Sequence, residues 1–305
     1  MGTPDFAVAS LQALVENDWP VVGVITSPDR KKGRGQTLVP SPVKVFALEK
    51  KIPVLQPVNL KDPAFIEELA TYKANLQIVV AFRMLPEIVW SMPELGTFNL
   101  HASLLPNYRG AAPINWAIIN GERETGVTTF FLKHEIDTGA IIMQEKEPIG
   151  QNDTVGDLYN RLMKKGSKLV IKTVEAIAGD AVEPMPQDEM LEIKQAPKIF
   201  RETCEVDWSK TNTEIHNFIR GLNPYPAAWT IILGESWKIF TVQPIAIDRI
   251  VESGSFFTDH KEFLVARTGD GWLAITETQM PGKKRMKTGD LLRGNSLKEL
   301  ETIRI

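Results

Sequence analysis

The chain has a single cysteine, Cys204, among its 305 residues, so no internal disulfide can form and the paired-cysteine spacing of structural zinc sites does not occur. Its four histidines, at 101, 134, 216 and 260, are scattered without ligand-spaced companions, and no metal is expected. No apolar run approaches the roughly 18 to 20 residues that a membrane-crossing helix needs. No basic-then-apolar leader opens the chain, and Phe6 stands where a myristoylation motif wants Ser or Thr. A cytoplasmic protein with no membrane partner is the expectation. The formal net charge of -3 excludes wholesale coating of nucleic acid but leaves room for a local basic patch. No internal repeat or low-complexity tract is present.

What is present is an alternation. Helical stretches such as "AVASLQALVEND" and "SPVKVFALEKK" are interleaved with continuous apolar, β-branched runs, among them "PVVGVITS", "LQIVVAF" and "GTFNLH". Strands alternating with helices imply right-handed crossovers and a mostly parallel, doubly wound, Rossmann-like α/β sheet, which binds ligands beyond the carboxyl ends of its strands. "TGVTTFFLKH" and "AIIMQEKEPI" read as two strands with no helix between them. A helix from Thr154, capped with Asp157, is expected to reach Gly179 with an interruption at Gly166. Pro184, Pro186 and Pro197 then mark a linker over 181–203. Beyond it come one helix, "NTEIHNFIRGL", and short strands with turns at "LGES", "ESGS" and "RTGDG", which suit a small OB-like β-barrel. The domains expected are therefore 1–180 and 204–305.

Candidate chemistry gathers at the end of "GTFNLH". Residues i and i+2 of a strand share a face, so Asn99 and His101 aim side by side from the sheet's carboxyl edge. An isolated His there could be a satisfied polar residue. Paired with Asn, it can donate two hydrogen bonds to one oxygen, as an oxyanion developing in acyl transfer requires. Asp137, in "HEIDTG", either fixes its own turn or orients the His101 imidazole and helps move a proton. No Ser or Cys nucleophile with its own base is evident, so the attacking group would belong to the substrate.

The run "FNLHASLLPNYRGAAPINWAIINGERETGVTTF", with "DTG" following, resembles the folate-dependent formyltransferases over nearly the whole chain. The resemblance implies transfer of a formyl group from 10-formyltetrahydrofolate, as cosubstrate, to an amine. Asn99 and His101 would polarise the formyl carbonyl and Asp137 would assist proton transfer. The folate pocket would fall on Phe82, Arg83, Met84 and Leu85 and on Ser103, Leu104, Leu105 and Pro106, although plain core packing also explains Phe82 and the leucines.

Two basic segments single out one kind of member. "SPDRKKGRGQTLVPSPVK" carries Arg30, Lys31, Lys32 and Arg34 in a loop with Gly33 and Gly35. A solvated charge run is the ordinary explanation. In context the loop resembles the insertion of the members that formylate the methionine α-amino group of initiator methionyl-tRNA, with Arg34 entering the acceptor stem. Residues 201–305 hold 14 Lys plus Arg and 14 Asp plus Glu, yet Lys283, Lys284, Arg285 and Lys287 cluster and could contact phosphates. Trp208, Tyr225 and Trp229 read as barrel core rather than base-stacking platforms. Small-amine formylation, or a tRNA-binding module with an inert site, remain alternatives. A monomer is expected by family analogy. Family members begin with a strand leading into "GTPDF", so Met1 is expected to be internal, with about ten residues missing before it. Thr3 and Pro4 would serve as N-cap and first residue of the opening helix.

Overall fold

The computed structural model describes residues 1–32, 36–188, 192–294 and 297–303. They form two compact units. The first comprises Met1–Gly110, Thr125–Pro148 and Asn160–Gln195, and the second Ala111–Glu124, Ile149–Tyr159 and Ala196–Ile305.

In chain order the elements up to the end of β6 are α1 (Asp5–Glu16), β1 (Val24–Ile25), β2 (Arg30–Lys32), β3 (Thr37–Val39), α2 (Pro42–Glu49), β4 (Val54–Leu55), α3 (Pro63–Thr71), β5 (Gln77–Val80), α4 (Glu87–Trp90) and β6 (Thr97–His101). There follow β7 (Arg109–Gly110), α5 (Pro113–Ile119), β8 (Glu124–Phe131), β9 (Ile141–Pro148), α6 (Val155–Ala178) and β10 (Gln195–Ala196).

β1 pairs with β4 in parallel, and a second sheet runs in the order β5-β6-β8-β9. β5 and β6 are parallel, whereas β8 runs antiparallel to β6. This is the α/β, Rossmann-like arrangement expected, with the helix-free pair "TGVTTFFLKH" and "AIIMQEKEPI" forming β8 and β9. Met1 and Gly2 lie between β1 and β5: the terminal amine donates to Ile78 O (2.6 Å), Val80 N to Met1 O (2.9 Å) and Gly2 N to Ile25 O (3.1 Å). Burial pushes that amine down to about 5. A cavity of about 460 Å³ lies beside it, lined by side chains such as Leu11, Leu14, Leu55 and Leu69.

Local chemistry sets the helix ends. Ser41 accepts from Lys44 N at the start of α2, and Asp62 from Ala64 N at the start of α3. At α1 the expectation of a Thr3 cap fails. Pro4 is the N-cap, no side chain caps the helix, and Thr3 Oγ1 instead bonds Ser27 Oγ at 3.0 Å. Thr154 and Asp157 do form the reciprocal box that opens α6. The interruption expected at Gly166 does not occur, for α6 is continuous. A Cβ at 166 would stand 2.8 Å from Leu100 Cδ2, so this glycine permits close packing of α6 on β6.

The second unit contributes α7 (Asn212–Leu222), β11 (Ala228–Ile232), β12 (Glu235–Pro244), β13 (Phe256–Thr258), β14 (Leu264–Arg267), β15 (Trp272–Gln279), β16 (Met286–Lys287), α8 (Thr288–Gly294) and β17 (Glu301–Thr302). Its seven-stranded sheet has the order β11-β12-β15-β14-β13-β17, with β16 on β15. Most of its pairs are antiparallel, as a small barrel-type domain requires, with β13–β17 parallel. A core of Trp237, Ile239, Leu264, Leu273 and Ile275 packs with Ile215, Ile219 and Leu222 of α7. α7 opens on a full capping box between Thr211 and Glu214. Among the described residues no helix is long and apolar enough to cross a membrane.

Candidate active site

β6 brings Asn99 and His101 to one end of the β5-β6-β8-β9 sheet, opposite Phe130 and Thr128 of β8. The His101 side chain is buried. Its Nε2 lies 2.8 Å from the Tyr108 carbonyl oxygen, an acceptor, so Nε2 carries the hydrogen. The other nitrogen, Nδ1, faces Asp137 Oδ2 at 3.8 Å. In the neutral imidazole Nδ1 is therefore an acceptor, and donation from His101 to a substrate oxygen requires the imidazolium. Phe130 closes the ring's flank edge-on, 6.5 Å between centroids.

Asp137 sits in the connection between β8 and β9 at φ +57°, the left-handed region. Its Oδ2 accepts the Gly110 N–H at 2.9 Å. Gly139 is required for a different reason. A Cβ there would overlap the Phe131 carbonyl, so only glycine lets this connection lie on the end of β8. The structure thus gathers Asn99, His101 and Asp137 at one place.

Asn99 differs from its neighbours in having an unanswered group. Its Oδ1 is buried with no hydrogen-bond partner, an arrangement that costs roughly 1 to 3 kcal/mol unless a ligand completes it. That orphaned acceptor suits a donor such as a bound amine, and leaves the amide nitrogen as the group that could meet a carbonyl. Among the described residues no cluster of His, Cys, Asp and Glu could hold a metal ion.

The expected folate segments lie in two environments. Leu85 is buried in the apolar cluster with Val79 and Val89, and Phe82 packs against that cluster, while Met84 is 67% exposed. The Arg83 guanidinium donates to the Pro57 and Val58 carbonyls. In the second segment Leu105 is core, packed with Phe130 and Ile141. Ser103 Oγ donates to Asn107 O, and Thr128 Oγ1 donates to Ser103 O (both 2.6 Å). Gln144 Nε2 reaches both Leu105 O (2.8 Å) and Thr128 Oγ1 (2.9 Å). The turn carrying Ser103 to Pro106 is thereby fixed to β8 and β9.

Residues 1–174 match the formyl transferase family, and residues 198–296 match the formyl transferase C-terminal domain. The chain belongs to the formyl transferase family. Among curated members, the methionyl-tRNA formyltransferase of Bacteroides fragilis is 55% identical over 307 residues, covering 98% of this chain and 95% of that protein. That of Bacteroides thetaiotaomicron is 52% identical with the same coverage. Among solved structures, the sugar 3N-formyl transferase WlaRD, determined in the presence of dTDP and 5-N-formyl-THF, superposes with a TM-score of 0.66 at 26% identity, covering 93% of this chain and 97% of that one.

The basic residues singled out from the sequence divide in the same way as the folate segments. Arg30, Lys31 and Lys32 form β2, paired with β3 as a ladder where a loop was expected; Arg34 lies outside the described residues. The alternation of bonding groups with Thr37–Val39 is what makes a ladder of that segment. In the second unit Lys283, Lys284 and Lys287 are exposed, whereas Arg285 is tied to Glu277 (2.5 Å), Asn223 Oδ1 (3.0 Å) and the Phe240 ring (4.1 Å). Trp208 is buried in the barrel core, with Trp229 packed against it. Tyr225 corrects the expectation of a third core aromatic. It is 80% exposed, because Asn223, at 3% exposure, and Ala227 take the inward positions of that turn. His134 is exposed beside Glu87.

Several residues around this candidate site carried no sequence signal. Tyr108 acts through its carbonyl and Gly110 through its amide, backbone groups that leave no side-chain signature. Thr128 and Gln144 are ordinary alternating strand residues. Gln187 falls in the expected linker, yet its side chain bonds the Asp137 connection.

Proposed function

We propose that this protein transfers the formyl group of 10-formyltetrahydrofolate to the α-amino group of methionine on initiator methionyl-tRNA, so supporting translation initiation. The single observation that carries this reading is the His101 imidazole held between Tyr108 O and Asp137, beside the unanswered Oδ1 of Asn99, in a chain about half identical to methionyl-tRNA formyltransferases along its length.

When bound, 10-formyltetrahydrofolate supplies the formyl group as an amide whose nitrogen can leave. Asn99 Nδ2 donates to the formyl oxygen, where negative charge develops as the amine nitrogen bonds to the formyl carbon. Donors placed in advance for such charge contribute about 3 kcal/mol each. His101 Nδ1, unprotonated in the neutral ring, takes the proton of the attacking amine. Asp137 holds the resulting imidazolium, and the proton passes on to the nitrogen whose bond to carbon breaks. The peptide groups of Phe82 to Leu85 and Ser103 to Pro106 meet the pterin. The α-amino group of an aminoacyl ester is less basic than an ordinary amine, which eases the need for a neutral nucleophile.

Residues 1–180 form the catalytic domain, 181–203 the linker and 204–305 the tRNA-binding domain. Arg30, Lys31, Lys32 and Arg34 contact the acceptor end, and Lys283, Lys284, Arg285 and Lys287 contact phosphates. The protein acts as a cytoplasmic monomer. The test is incubation with 10-formyltetrahydrofolate and methionyl initiator tRNA, counting formylated product, beside His101→Ala. Product lost in the variant supports the reading. No product, or equal product from the variant, overturns it, and formylation of small amines alone would move the protein to another branch of its family.

A further inference from the structure

The side chain of Gln187 is buried and has every hydrogen-bonding capacity filled. Oε1 accepts from Arg109 Nε (3.1 Å) and Arg109 Nη2 (2.6 Å). Nε2 donates to Asp137 O (2.9 Å) and Gly139 O (2.8 Å). Chemistry fixes the orientation of this amide, because a guanidinium only donates and a carbonyl only accepts. Reversing the amide would oppose donor to donor on one side and acceptor to acceptor on the other.

The neighbour of Arg109, Gly110, grips the same residue from its other end, donating its N–H to Asp137 Oδ2. Asp137 is thus held by its carbonyl through Gln187 and by its carboxylate through Gly110. Both grips are rooted in β7. The residue they hold adopts a left-handed conformation that non-glycine residues keep only where the surroundings impose it. A paired bridge seats Gln187 itself: Ile141 N donates to Met185 O (2.8 Å) and Met185 N to Ile141 O (2.9 Å), fixing the segment against the start of β9.

We propose that Gln187, oriented by Arg109, is a positioning residue for formyl transfer: it keeps the Asp137 carboxylate within reach of His101 Nδ1. The inference rests on the role given to Asp137 above. A segment expected only to join two domains therefore supplies part of the catalytic site. Side chains that orient catalytic or ligating groups in this way commonly matter by 10- to 100-fold.

The test is a double-mutant cycle in the full chain, with Gln187→Ala, Asp137→Asn and the pair, measuring kcat and KM for both substrates and thermal unfolding. The expected result is a roughly 10- to 100-fold fall in kcat for Gln187→Ala, KM values within about twofold, and little further loss when the same change is made in Asp137→Asn. An equal fractional loss in both backgrounds, or a loss confined to KM, overturns the proposal, since a merely structural role would act without regard to Asp137. Arg109→Lys, which keeps the charge but not the two-pronged contact, should fall in the same direction by less.

A second readout needs no turnover. The ring ¹⁵N resonances of His101, recorded in the wild type and in Gln187→Ala, should differ if Asp137 has moved, and unchanged resonances would sink the inference even if activity fell. Should Asp137→Asn retain full activity, the catalytic reading fails, while the ring resonances still decide whether Gln187 positions Asp137.

Discussion

Two connections between neighbouring strands, one in each unit, are built on opposite principles. The connection from β8 to β9 contains Asp137, whose carbonyl and carboxylate are both bonded and whose backbone is left-handed. The connection from β15 to β16 carries Lys283 and Lys284, exposed and without an ion pair among the described residues. The side chain of Arg285, at its end, is tied down. On the proposed catalytic reading, moving a proton needs particular atoms held close together, so the first connection has its freedom removed. On the proposed tRNA-binding reading, attracting phosphates needs only charge near a surface, so the second can leave its ammonium groups in water.

The comparison breaks most sharply at the site on β6 that the first connection faces. His101→Ala removes the proton acceptor and should lower kcat by about 10²- to 10⁴-fold with little change in unfolding temperature. Asn99→Ala should cost about 10²- to 10³-fold in kcat, as loss of an oxyanion donor does elsewhere. Steady-state kinetics with methionyl-tRNA checks both; a change in KM alone would show that these residues bind substrate and do not act on the reacting atoms.

The packing beneath the site should respond in stability. Gly166→Ala places a methyl group against Leu100 on the strand that carries Asn99 and His101. Overpacking of this kind costs about 1 to 3 kcal/mol. Denaturant midpoints would record it, and an unchanged midpoint would mean that Leu100 turns aside freely.

At the second connection the effect should be smaller and of another kind. Reversing charge with Lys283→Glu and Lys284→Glu should raise KM for tRNA and leave kcat on saturating tRNA nearly unchanged. Each lost phosphate contact lowers the salt slope of binding by about 1. A slope equal to that of the wild type would remove these lysines from the interface.

The same contrast explains what the sequence made legible. Asn99 and His101 could be read because strand periodicity places i and i+2 on one face, and Asp137 because "DTG" marks a turn that demands glycine. Gln187 could not be read, since its role depends on residues 50 positions away meeting it through backbone carbonyls. Tyr225 was misread because aromatic character indicates burial only on average, and a turn whose inward places are already filled exposes the remaining ring. Arg30 to Lys32 look like a loop because charge dominates their composition, while the backbone ladder with Thr37–Val39 is blind to side-chain charge. The uninterrupted α6 teaches the converse: a glycine within a helical pattern can mark close packing in place of a break.

The smallest effect supplies a control within the second unit. His216 lies on α7, and burial, with the neighbouring Arg220 charge adding to it, holds its imidazole below the usual histidine range. In the unfolded chain it titrates near the ordinary value of about 6.5. Between the lowered folded value and that one, the unfolded chain binds more protons, so folding stability rises with pH and is lost as pH falls through the window. The group is only partly buried, so solvent screening keeps the effect small. Urea midpoints across this window should fall toward acid, and His216→Gln should flatten part of that slope while leaving formyl transfer intact. A steeper slope in the variant would reverse the assignment, and a loss of kcat would mean that the second unit shapes the reacting groups as strictly as the first.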